Sequence, residues 1–198
     1  MQGITWSAMA RGMGMATVGC LLLFVGVGCS AEGKLAANSE LSGGLWTVGV
    51  SSSAFRHGEA IPEKYTAEGM NISPPLKWSR GPSGLREWIL VVQDADAKGK
   101  EGYPATHWAV FKIPASVTEF PEGASKTIKY PQGRNYQGES AYAGPNPPSG
   151  VHRYYFQLFA LDADQDIPNG ATREQVIKNF KGHVLSKGWL MGTYSKQK

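Results

Sequence analysis

The segment Glu87-Trp88-Ile89-Leu90-Val91-Val92 limits what this chain can fold into more than any other. It is a short, almost continuously apolar run rich in β-branched and aromatic residues. It lacks the polar alternation of a half-exposed strand, so it reads as a strand buried on both faces. Other apolar runs bounded by glycine and proline read as strands too: Leu45 to Val50, His107 to Ile113, His152 to Leu161 and Trp189 to Tyr194. Long connections rich in Pro and Gly separate them, at 57–84, 94–106, 114–126 and 131–151. Connections this long inside a compact domain are usually functional or packed Ω-type loops. One helix is expected. Thr172 can cap it, Gln175 completes a capping box, Val176, Ile177 and Phe180 form its apolar face, and Gly182 stops it. The balance is mainly β, in one domain spanning 45–198 with peripheral helix.

Composition agrees. Gly 25 and Pro 12 of 198 residues, with 11% aromatics, favour strands and turns over helices. The length allows a core without disulfides or metals. The net charge of +4 could suit nucleic acid or anionic lipid, but the basic residues are scattered and form no dense run. Nucleic acid is therefore not an expected partner.

Arg11 is the only charge before residue 32, and 12–28 is apolar around Leu21-Leu22-Leu23-Phe24-Val25. A positive start, a short apolar centre and small residues before a cut make 1–28 a secretory signal peptide. A retained membrane anchor is the alternative, disfavoured because the apolar run is short and Gly-rich. Val27-Gly28-Cys29 looks like a lipobox, although Gly26 stands where Leu is more typical. Cys20 is the only other cysteine and lies in the apolar centre, so a mature chain would carry Cys29 without a partner. Acylation at Cys29 removes that liability in an oxidising compartment. Ordinary signal cleavage is the alternative. Residues 29–44 then read as a flexible tether.

Several polar groups stand at strand ends beside rigid loops, the setting a small pocket needs. Asp94 and Asp96 follow the 87–92 run at i, i+2 spacing, which directs both carboxylates to one side. His152 and Tyr154 share that spacing after the turn-rich stretch 143–150, and His107 opens another strand. Carboxylates beside imidazoles raise the imidazole pKa. Protonated histidines and a Tyr hydroxyl would then donate to an anion such as phosphate. Any one of these residues alone is more often structural, since buried polar groups pair anyway. His57 and His183 are read that way, as is at least one of Tyr154 and Tyr155. Trp78, Trp88, Trp108 and Trp189 are read as core. Zinc held by Asp94, Asp96, His107 and His152 is conceivable by ligand type but has no supporting spacing. No Gly-x-Ser-x-Gly occurs, and no cysteine follows Cys29, so nucleophilic catalysis has little support.

In this order the chain carries Ser53-Ala-Phe55, Ile61-Pro62, Asn71-Ile-Ser73-Pro74-Pro75-Leu76, Val92-Gln-Asp94-Ala-Asp96-Ala97 and Thr106-His107-Trp108. Then follow Tyr142-Ala-Gly144-Pro145-Asn-Pro147-Pro148-Ser-Gly150-Val-His152-Arg153-Tyr154, Gly182-His183-Val184-Leu185 and Gly192-Thr193-Tyr194. Over 51–195 it resembles the phosphatidylethanolamine-binding protein family, which includes the Raf-kinase-inhibitor proteins, and specifically its bacterial branch. The resemblance implies a large antiparallel sheet packed on a smaller one, with helix at the C-terminal side, and an anion pocket. It implies ligand-binding roles for Asp94, Asp96, His107, Gly144, Pro145, Pro147, His152 and Tyr154. Ala95 and Ala97 stand where the family usually has prolines, so the loop loses two φ locks. Loop 98–105 is idiosyncratic and is expected to set access to the pocket.

The expected function is an envelope binding protein, not an enzyme and without a cofactor. It would hold an anionic small molecule, a phospholipid head group or a phosphopeptide, and reach the membrane through a lipid anchor at Cys29. The alternatives are a protein-interaction or enzyme-inhibiting module, and a phosphoester hydrolase using His107 or His152 as base.

Overall fold

The computed structural model describes residues 35–38, 43–99 and 102–196. Cys29 and the signal segment lie outside the described residues. The strands are β1 (Leu45–Trp46), β2 (Val50–Ser51), β3 (Leu76–Trp78), β4 (Glu87–Lys98), β5 (Pro104–Pro114), β6 (Glu119–Phe120), β7 (His152–Leu161) and β8 (Val184–Tyr194). The large sheet runs β1-β8-β7-β4-β5 and the small sheet β2-β3-β6. All pairings are antiparallel except β1 with β8.

The 87–92 run sits centrally, between β5 and β7, and both of its faces are covered. Trp88, Leu90 and Val92 point toward the small sheet and share a core with Leu76, Trp78, Trp108, Phe120 and Phe156. Ile89 and Val91 point the other way, onto Phe111, Phe159, Val176 and Phe180. Period-two alternation with apolar residues at every position is therefore a demand for two covers. The second cover includes the helix α1 (Arg173–Lys178), whose N-terminus carries both halves of the Thr172–Gln175 capping box. Gly182 does not end it. Asn179 is the C-cap, and Gly182, at φ 77°, turns the chain into β8 four residues after the helix's last residue.

The structure departs from the sequence reading in other places. Residues 45–50 do not form one strand: β1 joins the large sheet and β2 the small one. Between them the backbone crosses β8 so closely that a Cβ on Gly188 would lie 1.8 Å from the Val48 carbonyl oxygen. Trp78, Trp88 and Trp108 are core, but Trp189 is half-buried, with its ring against Trp46 and Tyr155.

Four residues of the stretch read as a tether lie on the large sheet's outer face. Leu35, Ala36 and Ala37 are buried. The Ala36 N–H donates to Gln93 Oε1 and the Ala37 N–H to Gln157 Oε1, each at 2.8 Å. Lys187 Nζ donates to the Ala37 carbonyl at 2.8 Å. Gln93 and Gln157 are wholly buried on central strands, where a polar side chain needs partners. This docked main chain supplies them.

Candidate functional site

The site forms where β4, β5 and β7 end together. Asp94 pairs in register with Tyr154 of β7 and with Ala105 of β5. Its carboxylate holds three groups: Oδ1 accepts the N–H groups of Asp96 (2.8 Å) and Ala97 (3.1 Å), and Oδ2 lies 2.8 Å from His152 Nδ1. Capping its own downstream N–H groups bends the chain, and the β4–β5 register shifts between Asp94 and Lys98.

That bend separates the two aspartates. Asp96 does not share a target with Asp94; its carboxylate brackets Arg153, accepting from the backbone N–H (2.9 Å), Nε (3.0 Å) and Nη2 (2.7 Å). The Arg153 guanidinium holds the Asp96 carboxyl below the usual carboxylate range. The i, i+2 argument fails here because the strand is not regular past residue 94. With Asp96 turned away, the four-residue zinc reading loses a ligand, and no metal-holding cluster of three or more His, Cys, Asp or Glu occurs among the described residues.

His107 is buried on β5, and its Nδ1 lies 2.7 Å from the Ala143 carbonyl. Its pKa is lowered, opposite to the sequence expectation. Desolvation outweighs both that hydrogen bond and the nearby Asp94 charge. The neutral ring donates from Nδ1 to Ala143, a tautomer assigned from this bond, which leaves Nε2 as an acceptor. The edge of the Tyr154 ring meets His107 (centroids 5.2 Å apart) and Tyr136 packs on it at 4.8 Å.

Gly144, Pro145 and Pro147 act as framework. A Cβ on Gly144 would lie 2.7 Å from the Tyr65 carbonyl oxygen, so only glycine fits. The Gly144 N–H donates to Asn71 Oδ1 (2.7 Å), and the Pro145 carbonyl accepts from Ala67 N (3.0 Å). Pro147 is buried. This bolted loop presents Asn146 and Pro148 to an open cavity of about 510 Å³. Asp94, Lys98, His107 and Tyr136 line the same cavity. His152 and Tyr154 stand behind this lining. His152 is bonded to Asp94, and the Tyr154 hydroxyl lies among Asp94, Asn146 and Tyr136. That hydroxyl is buried and, among the described residues, meets full hydrogen-bond geometry with none, although the Asp94 carboxylate and the Asn146 backbone stand near it. Burial and the Asp94 charge raise its pKa, so it stays a protonated donor.

Sequence reasoning missed Lys98, Tyr136 and Asn146 as lining residues. Lys98 was noticed only as part of an access loop, and Asn146 only as a spacer between prolines. Tyr136 lies in a long Gly-rich connection and carries no local signal.

The phosphatidylethanolamine-binding protein family model matches residues 51–195. This chain belongs to the phosphatidylethanolamine-binding protein family. A UPF0098 protein of Methanothermobacter thermautotrophicus is 42% identical over 147 residues, covering 72% of this chain and 95% of the relative. Another from Chlamydia muridarum is 40% identical, covering 74% and 98%. Family relatives are thus archaeal as well as bacterial. Among solved structures, a phosphatidylethanolamine-binding protein homologue from Chlamydia trachomatis matches with TM-score 0.72 and 38% identity, covering 76% of this chain and 99% of that one. E. coli YbcL, a member of the same family, matches with TM-score 0.69 and 27% identity over 76% and 99%. The two-sheet, mainly β architecture read from the sequence is the family's fold, and the chain is a binding protein of that family's type.

Proposed function

We propose that this family member holds a phosphate-type anion, free or on a small molecule, lipid head group or phosphopeptide, in the Lys98–His107–Asn146 cavity. The reading rests chiefly on one observation: the buried Tyr154 hydroxyl beside that cavity faces the Asp94 carboxylate and the Asn146 backbone without reaching full hydrogen-bond geometry to either. An unmade buried hydrogen bond costs about 1–3 kcal/mol, and a ligand oxygen accepting from Oη recovers it. Lys98 supplies the positive charge at the cavity wall. Neutral His107 accepts from a protonated oxygen through Nε2, so the site favours a phosphate oxygen that carries a proton. Asp94 holds His152 and the bend in place and does no chemistry on the guest. Calorimetric titration with inorganic phosphate and with phosphoethanolamine tests this. Both bind, ethanolamine does not, and Tyr154→Phe weakens phosphate about tenfold while leaving the fold intact. Equal affinity in Tyr154→Phe rejects the reading, as does steady phosphoester turnover by the pure protein.

The location follows from the sequence argument: Cys29 is lipidated and the domain is held at the envelope membrane. Because residues 35–38 dock on the sheet, only residues 29–34 separate the anchor from the domain, at most about 20 Å fully extended. Mass spectrometry of the mature protein should find a diacyl- or triacyl-modified Cys29 at the N-terminus. An unmodified N-terminus elsewhere ends the anchor proposal.

A further inference from the structure

A second cleft lies on the far side of Tyr136 from the anion cavity. It measures about 170 Å³ and shares Gly99 and Tyr136 with the first, so the two are adjacent. Its other walls include Tyr103, Asn135, Arg134 and Arg173. Arg173 is only 8% exposed. Its guanidinium stacks over the Tyr103 ring, with Cζ 4.2 Å from the centroid, and Nη1 stands 3.6 Å from the Glu174 carboxylate. Stacking fixes the plane of a guanidinium and lowers the entropy lost when its N–H fork meets a planar oxyanion. Arg134 at the same cleft is exposed. Two positive charges, that of Arg173 held against Tyr103 and that of Arg134 exposed, against the single carboxylate of Glu174 give the described lining a positive balance. The anion pocket as described needs neither arginine, since Lys98 is its cation.

We infer that the ligand of this site carries two anionic groups: a phosphate-type group at Tyr154 and Lys98, and a carboxylate at Arg173 and Arg134. The inference rests on the anion-pocket reading and narrows it to phosphorylated or phosphonylated carboxylic acids. A carboxylate is the better match for the second position, because its two coplanar oxygens fit a guanidinium fork side by side. Tyr136 then serves both halves, packing on His107 on one side and forming the shared wall on the other.

The test is calorimetric titration of the full mature protein with ω-phosphonocarboxylic acids of increasing chain length, each beside the alkylphosphonate of equal length without the carboxylate. At one or two lengths the carboxylate should tighten binding at least tenfold. Arg173→Gln should abolish that gain while inorganic phosphate affinity stays unchanged, and Arg173→Lys should restore only part of it. Arg134→Gln, at an exposed position that carries little folding risk, should reduce the gain severalfold. If phosphonates bind but no length gains from the carboxylate, the inference falls and the anion pocket stands. A gain that survives both Arg173→Gln and Arg134→Gln also overturns it. If neither phosphate nor any phosphonate binds, the pocket reading itself fails and takes the inference with it.

Discussion

Asp94→Ala is expected to lower the unfolding free energy by about 2–4 kcal/mol. The carboxylate accepts from Asp96 N, Ala97 N and His152 Nδ1, and alanine leaves those donors without an acceptor. The bend at the end of β4 loses its fastening at the same time, so Lys98 leaves its place at the cavity wall. Phosphate binding should therefore disappear together with the stability. Asp94→Asn keeps one acceptor oxygen and nearly the same shape, so it should lose about half as much stability and retain weak binding. Urea unfolding with parallel phosphate titration reads both effects. If Asp94→Ala binds phosphate normally, the carboxylate does not hold the cavity together.

Glu87 produces the second large effect, and this one depends on pH. It begins β4, is 4% exposed, and its Oε1 has no hydrogen-bond partner among the described residues. Burial, aided by the Asp164 charge and opposed by the Gln165 backbone and Lys112, raises its pKa from 4.5 to about 7. The folded state therefore keeps a proton that the unfolded chain releases near pH 4.5. The stabilisation is complete below pH 4.5 and is lost as pH rises through about 7. A shift of this size corresponds to about 3 kcal/mol between pH 4.5 and 8. Glu87→Gln is permanently neutral, so its stability should lack this decline and exceed that of the parent at pH 8. Urea midpoints at pH 4.5, 6 and 8 for both proteins decide it. Parallel pH profiles would mean that Glu87 stays ionised when buried.

These two carboxylates also show what the sequence could and could not reveal. Asp94 stood out because it follows an apolar run and sits near other polar strand ends in a recognisable order. Asp96 looked equivalent by spacing, yet it faces Arg153, because the side chain of Asp94 itself breaks the strand periodicity on which the spacing argument depended. Glu87 opens the run read as buried, but its raised pKa depends on the 164–166 segment lying beside it, which no local pattern encodes. The β7 bounds and the Thr172–Gln175 box were legible because alternation and capping are local. The split of 45–50 between two sheets was not, since it depends on Gly188, far along the chain, allowing a close crossing. Gly144, Pro145 and Pro147 were legible as important but not as framework. Only the contact of Gly144 with Tyr65 and Thr66 shows that the loop is fastened so that Asn146 reaches the cavity.

The protonation of His107 followed the same rule. A carboxylate nearby suggested a cation, but the depth at which β5 buries the ring could not be read from the residues that flank it. Desolvation won, and the ring is an acceptor toward the cavity.

The most direct measurement is a crystal structure of the mature protein grown with a tetrahedral oxyanion heavy enough to locate, such as tungstate or molybdate. One anion is expected in the cavity between Lys98 and Asn146, with an oxygen within hydrogen-bond distance of Tyr154 Oη, and no such anion there in Tyr154→Phe. Anion density elsewhere, with the Tyr154 hydroxyl bonded only to protein or water, would contradict it.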